Sequence, residues 1–242
     1  MKHNFVKKTK MTAIPVIDIN PLYNGSVMAK MAVGNAIVSA CEEYGFFYIS
    51  GYDIPAVMIE SWFEESRRFF AKDTDFKMRY SIDKSDRFQG YEPPRNNESK
   101  EAYVLGPERA SDDDLVQKGL KYHGSNIWPD LFGWRESAMG QMQSMLELAR
   151  MLNRALALGL GLNAGYFDSL SRDPMYAMRY LHYPPSNVTG IQPHTDWGML
   201  SLLMQDETEG LGIEGKDGIW RTIPVIPGTI VVNIGEMVEI FS

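Results

Sequence analysis

The sequence predicts an α+β chain: helices through most of the first 173 residues, then an antiparallel β sandwich or jelly roll. Two patterns predict it. From Phe132 to about Leu160 the apolar residues Met142, Met145, Leu146, Ala149, Leu152, Leu156 and Leu160 recur at intervals of three and four, the mark of a long amphipathic helix. After Pro174 the texture changes to short apolar runs at residues 175–183, 198–204, 211–214, 219–223 and 229–234, each broken by Gly or Pro. At 242 residues and 44% hydrophobic, the chain is long enough for one large core or two modest ones.

Taken in order, residues 14–19 alternate weakly and close on Asn20-Pro21 and Asn24-Gly25, a short strand followed by turns. Ser26 is an N-cap for a helix in which Val27, Met31, Ile37, Val38 and Cys41 share a buried stripe, and Gly45 stops it. Residues 46–49 form a buried strand. Pro55 opens a second helix at its first turn, carrying Met58, Trp62, Phe69 and Phe70. Between Arg87 and Tyr103, the run Gly90-Tyr91-Glu92-Pro93-Pro94-Arg95-Asn96-Asn97 predicts a long loop. Asp112-Asp113-Asp114 reads as a solvated face, and Gly124 to Pro129 as a turn with one buried ring. The helix ending at Gly159 and Gly161 is expected to brace a sheet. Gly215-Lys216-Asp217-Gly218 is expected to turn a hairpin.

A net charge of −7 argues against a nucleic-acid surface, so small molecules are the expected partners. The one cysteine, Cys41, cannot form an internal disulfide and suits a reducing compartment; the expected location is cytoplasmic. No apolar run approaches the ~20 residues needed to span a bilayer, so no membrane role is expected. The basic start, residues 1–10, has no apolar core after it and reads as a loose tail.

The stretch that bears chemistry is Gln192-Pro193-His194-Thr195-Asp196-Trp197-Gly198. If a strand begins at Gly198, His194 and Asp196 stand two apart in extended backbone and project to one face. An imidazole and a carboxylate suit a first-row divalent metal; with a distant second His they form a facial triad that leaves positions open. The plainer reading is a hydrogen-bonded surface pair. Zinc hydrolysis is disfavoured, because no spacing places a general base.

Several motifs, in order, resemble the isopenicillin-N-synthase-like branch of the Fe(II)/2-oxoglutarate-dependent dioxygenases: residues 14–18, Gly45-Phe46-Phe47-Tyr48, Gly90-Tyr91, Lys100-Glu101-Ala102-Tyr103, Asn126-Ile127-Trp128-Pro129, residues 178–185, His194-Thr195-Asp196, and Asn233-Ile234-Gly235-Glu236. The resemblance implies an α+β fold with a double-stranded β-helix (jelly-roll, cupin-like) core braced by N-terminal helices. It implies a flexible tail at 1–13, an N-terminal α/β region at 14–125, a bracing helix region at 126–172 and the first part of the jelly roll at 173–242. It also implies Fe(II) and 2-oxoglutarate as cofactor and cosubstrate, O2 and a small-molecule metabolite as substrates, and release of succinate and CO2. His194 and Asp196 match iron ligands, and Tyr183 matches a tyrosine that holds 2-oxoglutarate. The family's Asn two places before that tyrosine is Leu181 here.

Arg179 shares a strand face with Tyr183 and has two readings, a carboxylate-binding group or a salt bridge. Tyr91 and Trp197 are candidate pocket walls or ordinary core. Asn233 is a candidate outer partner of the metal ligands. His182 is expected to be structural or exposed. The family pattern continues into a second ligating His and an Arg-x-Ser beyond Ser242, so the expectation is a truncated, inactive and sticky fragment with the last jelly-roll strands missing. Two alternatives are carried: an iron oxidase or cyclase that uses O2 without 2-oxoglutarate, and an inactive fragment or binding module.

Overall fold

A computed structural model describes residues 14–241 apart from Asp86, Asn96, Asn97, Lys121, Thr189, Lys216 and Asp217, with the backbone alone for 239–241. The expected tail at 1–13 lies outside the described residues. In chain order the first elements are β1 (Val16–Asp18), α1 (Pro21–Asn24), α2 (Val27–Tyr44), β2 (Phe46–Ser50), α3 (Ala56–Phe70), α4 (Thr74–Met78), β3 (Gly90–Glu92), β4 (Glu101–Leu105) and α5 (Asp114–Gln117). There follow α6 (Trp134–Gly159), α7 (Tyr166–Leu170), β5 (Met178–His182), β6 (Leu200–Leu203), β7 (Gly212–Glu214), β8 (Trp220–Thr222), β9 (Ile230–Ile234) and α8 (Glu236–Phe241). The chain forms two compact units: one takes the residues up to Ile54, Met145–Leu170 and Thr195–Ser242, the other Pro55–Ser144 and Ser171–His194.

The first unit is organised on a four-stranded sheet of order β1-β2-β9-β6. β2 runs parallel to β1, and β9 is antiparallel to both β2 and β6. β9 is flanked on both sides, and its Ile230, Val231 and Val232 are buried, as a run of β-branched residues in a central strand should be. The core joins Ile17, Ile37, Phe47, Leu152, Ala155, Phe167 and Val232. β7 and β8 form a hairpin; Lys216 and Asp217 of its expected turn lie outside the described residues, and the Gly218 N–H donates to the Gly215 carbonyl at 2.8 Å.

Helix α2 begins as its sequence predicts. The Ser26 hydroxyl accepts from the Ala29 N–H at 3.2 Å, and Gly45 ends it in the left-handed region (φ 71°), where a side chain would be strained. Its expected stripe holds in part: Ile37 is buried and Val38 and Cys41 pack against the core, but Val33, Gly34 and Ala40 join them while Val27 and Met31 are exposed. The reason is a direct backbone contact. A Cβ at Gly34 would collide with the Ala155 carbonyl and one at Gly159 with Gly34 itself, so α2 is rotated to lay its glycine on α6.

The second unit holds the sheet β3-β4-β5, antiparallel throughout. This corrects the loop expected over residues 87–103. Pro93 and Pro94 break the run, but strands form on either side, and β4 is central and buried at every position. An aromatic cluster of Phe69, Phe70, Tyr91, Tyr103, Trp134 and Tyr180 packs on it. Helix α3 starts one residue later than expected, with Pro55 just before its first turn, and Met58 is exposed while Trp62, Phe69 and Phe70 are buried.

Candidate active site

On the second unit, β5 delivers Tyr183 just past its last residue, and the chain then loops to His194. The Tyr183 ring lies over Gly190, where an added Cβ would come within 2.7 and 2.9 Å of ring carbons. The loop is tied back along the segment before β4: the Lys100 N–H donates to the Gly190 carbonyl at 3.2 Å, and the Gln192 N–H to Glu98 Oε1 at 2.9 Å. Burial and the charge of Glu98 raise the Tyr183 phenol above its ordinary value against the opposing charge of Arg179, so the hydroxyl keeps its proton and can donate.

His194 sits at the end of this loop, exposed, with Nδ1 2.9 Å from the Gln192 carbonyl. A carbonyl can only accept, so Nδ1 carries the hydrogen and the basic lone pair of the neutral ring is on Nε2. That is the tautomer a metal ligand requires, set by an outer partner.

On the first unit, Asp196 stands beside the end of β9. Its Oδ2 accepts from Asn233 Nδ2 at 2.7 Å, and its carbonyl accepts from the Glu236 N–H at 2.9 Å. The Thr195 hydroxyl donates to Glu236 Oε1. Trp197 is 82% exposed, so it is no part of a core. The donor chemistry of His194 and Asp196 fits a divalent first-row metal. Among the described residues, no group of three or more His, Cys, Asp or Glu could hold a metal ion.

Of the other residues predicted from sequence, Arg179 is exposed on β5 and its charge acts on Tyr183. Tyr91 is 2% exposed, in the aromatic cluster, and its hydroxyl donates to Glu101 Oε2 at 2.6 Å. Glu101 also takes Lys77 Nζ at 2.7 Å and pairs through Oε1 with His182 Nδ1 at 2.7 Å. Burial pushes the Glu101 carboxyl up, but the hydrogen bonds from Lys77, Tyr91 and His182 and the lysine charge outweigh it, leaving it below its ordinary value. His182, whose ring stacks on Phe70 at 5.2 Å, is thereby accounted for as part of this network.

Comparison with known proteins decides the family. Residues 14–131 match the family described as the non-haem dioxygenase in morphine synthesis N-terminal region, and residues 172–242 match the 2OG-Fe(II) oxygenase superfamily. A 2-oxoglutarate-dependent dioxygenase of Phoma sp is 34% identical, covering 94% of this chain and 80% of the relative. The chain belongs to the 2OG-Fe(II) oxygenases. A homoarginine-6-hydroxylase of Glycine max is 32% identical over 97% of this chain and 78% of its own. Among solved structures, a full-length Neurospora crassa protein in complex with alpha-KG and thymine superposes with a TM-score of 0.82 at 25% identity, covering 93% of this chain and 75% of that one. The α+β fold of this oxygenase is therefore the helix-braced jelly-roll type that the resemblance implies, and Fe(II) and 2-oxoglutarate are its cofactor and cosubstrate.

Sequence reasoning missed the residues that hold the named ones in place: Glu98, Gly190 and Gln192 around Tyr183 and His194, and Glu236 beside Asp196. Gly235-Glu236 was visible only inside the motif Asn233-Ile234-Gly235-Glu236, with no hint of Thr195 as its partner.

Proposed function

We propose that His194 and Asp196 ligate the Fe(II) of a small-molecule oxygenase, with Tyr183 and Arg179 binding 2-oxoglutarate or a substrate carboxylate. The observation that carries the reading is the His194 Nδ1 hydrogen bond to the Gln192 carbonyl, which leaves the basic lone pair on Nε2. When bound, Fe(II) and 2-oxoglutarate supply the oxidising chemistry: O2 and the 2-oxo acid give succinate and CO2, and one oxygen atom enters the substrate C–H bond. The protein's own residues orient and exclude. Tyr183, protonated and held over Gly190, donates a hydrogen bond to a carboxylate, and Arg179, near the other end of β5, brings a positive charge that acts on Tyr183. Trp197, beside the ligands in sequence and exposed, is a candidate wall for the substrate. Tyr91, buried on Glu101, has a packing role.

An oxidase that dispenses with 2-oxoglutarate is not favoured, because the relatives' names specify that cosubstrate. The net charge of −7 supports a small-molecule substrate over nucleic acid, and no described helix is long and apolar enough to cross a membrane. Burial, then the charge of Glu42, pushes the Cys41 thiol up to about 12, which suits an inert thiol, and the single cysteine is what supports a cytoplasmic location.

The test is anaerobic Fe(II) titration by calorimetry together with O2-dependent succinate release. His194→Ala and Asp196→Ala are expected to abolish both, and Tyr183→Phe to raise KM for 2-oxoglutarate about tenfold, the worth of one hydrogen bond to a charged group. Undiminished iron binding and succinate release in His194→Ala would overturn the assignment.

A further inference from the structure

We propose that Glu98 is a positioning residue for the reaction: its carboxylate fixes Gln192, and through Gln192 the tautomer and pose of His194. The inference rests on the reading of His194 as an iron ligand and goes beyond it, to the acid that mounts that ligand.

The need for a mount follows from where His194 lies. β5 ends at His182, and the described residues between it and His194 belong to no strand or helix, so no ladder of main-chain bonds holds them. Residues 185–188 and 192–194 are exposed as well. A ligand on such a run loses affinity to the entropy of ordering it.

Two bonds from the segment before β4 supply that order, all within the second unit. The Lys100 N–H holds the Gly190 carbonyl at 3.2 Å, and Glu98 Oε1 accepts the Gln192 N–H at 2.9 Å. The segment is itself fastened. The Glu98 N–H donates to the Arg95 carbonyl at 2.9 Å, Lys100 is 8% exposed with Nζ 3.5 Å from Glu92, and Glu101 is held by Lys77. The tie at Glu98 is made by a side chain, so a substitution removes it and leaves the main chain alone.

Pro193 carries the order on to His194. Its ring fixes its own φ, and it confines the residue before it to extended backbone. With the Gln192 N–H anchored and its ψ confined, the direction of its carbonyl is set. That carbonyl lies 2.9 Å from His194 Nδ1 and keeps the hydrogen there. Glu98 therefore governs which ring nitrogen can face a metal. The same carboxylate reaches the other functional group of this loop: after burial, its charge is what opposes loss of the Tyr183 proton.

The experiment compares Glu98→Ala, Glu98→Gln and His194→Ala with the unaltered chain. The readouts are the tautomer of His194 from 15N-histidine NMR of the metal-free protein at a pH where the ring is neutral, the Fe(II) dissociation constant from anaerobic calorimetry, and the metal-free melting temperature. The unaltered chain should carry the hydrogen on Nδ1. Glu98→Ala is expected to give a mixture of tautomers and to weaken Fe(II) about tenfold, the size expected for loss of an outer partner. Its melting temperature should stay close to that of the unaltered chain. Glu98→Gln keeps an oxygen that accepts from Gln192, so it should recover the Nδ1 tautomer and most of the affinity.

If Glu98→Ala keeps both the tautomer and the affinity while His194→Ala loses the metal, the role of Glu98 is refuted and the ligand assignment stands. If Glu98→Gln behaves as Glu98→Ala does, charge and not position is at work, and the inference is overturned. Affinity losses that merely follow losses in melting temperature overturn it too. If His194→Ala binds iron normally, the ligand assignment falls and takes the reaction role of Glu98 with it, while the tautomer still reports whether the mount exists.

Discussion

The core of the first unit, around Ile37, Leu152 and Val232, is mostly aliphatic, whereas that of the second gathers Phe69, Tyr91, Tyr103, Trp134 and Tyr180. Aliphatic side chains are held by shape and exclusion from water alone. The aromatic core also carries polar atoms, and each is answered. Tyr103 donates to the Ile127 carbonyl at 2.7 Å, Tyr180 to Gln141 Oε1 at 2.6 Å, Trp134 to the Glu65 carbonyl at 3.1 Å, and Tyr91 to Glu101. One unit tolerates sliding between similar shapes; the other fixes orientation bond by bond. Tyr183 emerges from the strand end of the second kind, beside the Glu101–His182 pair, and Asp196 is tied to the central strand of the first.

The contrast breaks most severely at Glu101. Glu101→Ala leaves Lys77 buried without its partner and is expected to cost about 3–5 kcal/mol in urea unfolding followed by tryptophan fluorescence. Replacing Lys77→Met and Glu101→Leu together with Tyr91→Phe should restore most of that loss, because neither the lysine charge nor the buried Tyr91 hydroxyl is then left unpaired. In the aliphatic core the largest single effect is shape: Leu152→Ala, at a fully buried position, is expected to cost about 3 kcal/mol through lost burial and a cavity. Tyr103→Phe keeps the ring and removes only the donor, orphaning the Ile127 carbonyl, so a loss of about 1 kcal/mol is expected by the same measurement.

The pH dependence sharpens the comparison further. Because the folded Glu101 carboxyl titrates below its ordinary value of 4.5, its contribution is fully present above that value and is lost as pH falls through the lowered one. Glu101→Gln should flatten this acid limb of stability, whereas Leu152→Ala should shift the whole profile without changing its slope.

Local signals carried much of the fold. The Ser26 cap and Gly45 stop bracket α2, and the three-and-four spacing of Met142, Leu152 and Leu156 marks α6, because each rests on neighbours within a turn or two. β4 escaped for the opposite reason. Lys100 and Glu101 look solvated in sequence, yet Glu101 is neutralised by Lys77, 24 positions away, and Lys100 lies near Glu92. The rotated stripe of α2 was likewise hidden, since Gly34 meets Gly159 only once both helices exist.

The site divides the same way. The residue types at His194, Asp196 and Tyr183 were legible, and Asn233 was singled out, but its hydrogen bond to Asp196 spans 37 positions and follows from the pairing of β6 with β9. Glu236 was seen only as part of a motif, because nothing near it in sequence names Thr195 as its partner.

The attachments of Gly235 and Glu236 to the Met199 and Asp196 carbonyls run through main chain, and the residue between these two anchors that projects furthest into solvent is Trp197. Natural selection can therefore rewrite position 197 while the scaffold beneath it stays put. On the proposed reading of Trp197 as a wall for the substrate, exchanging that single ring would trade one metabolite for another and leave the hold on the cation as it was.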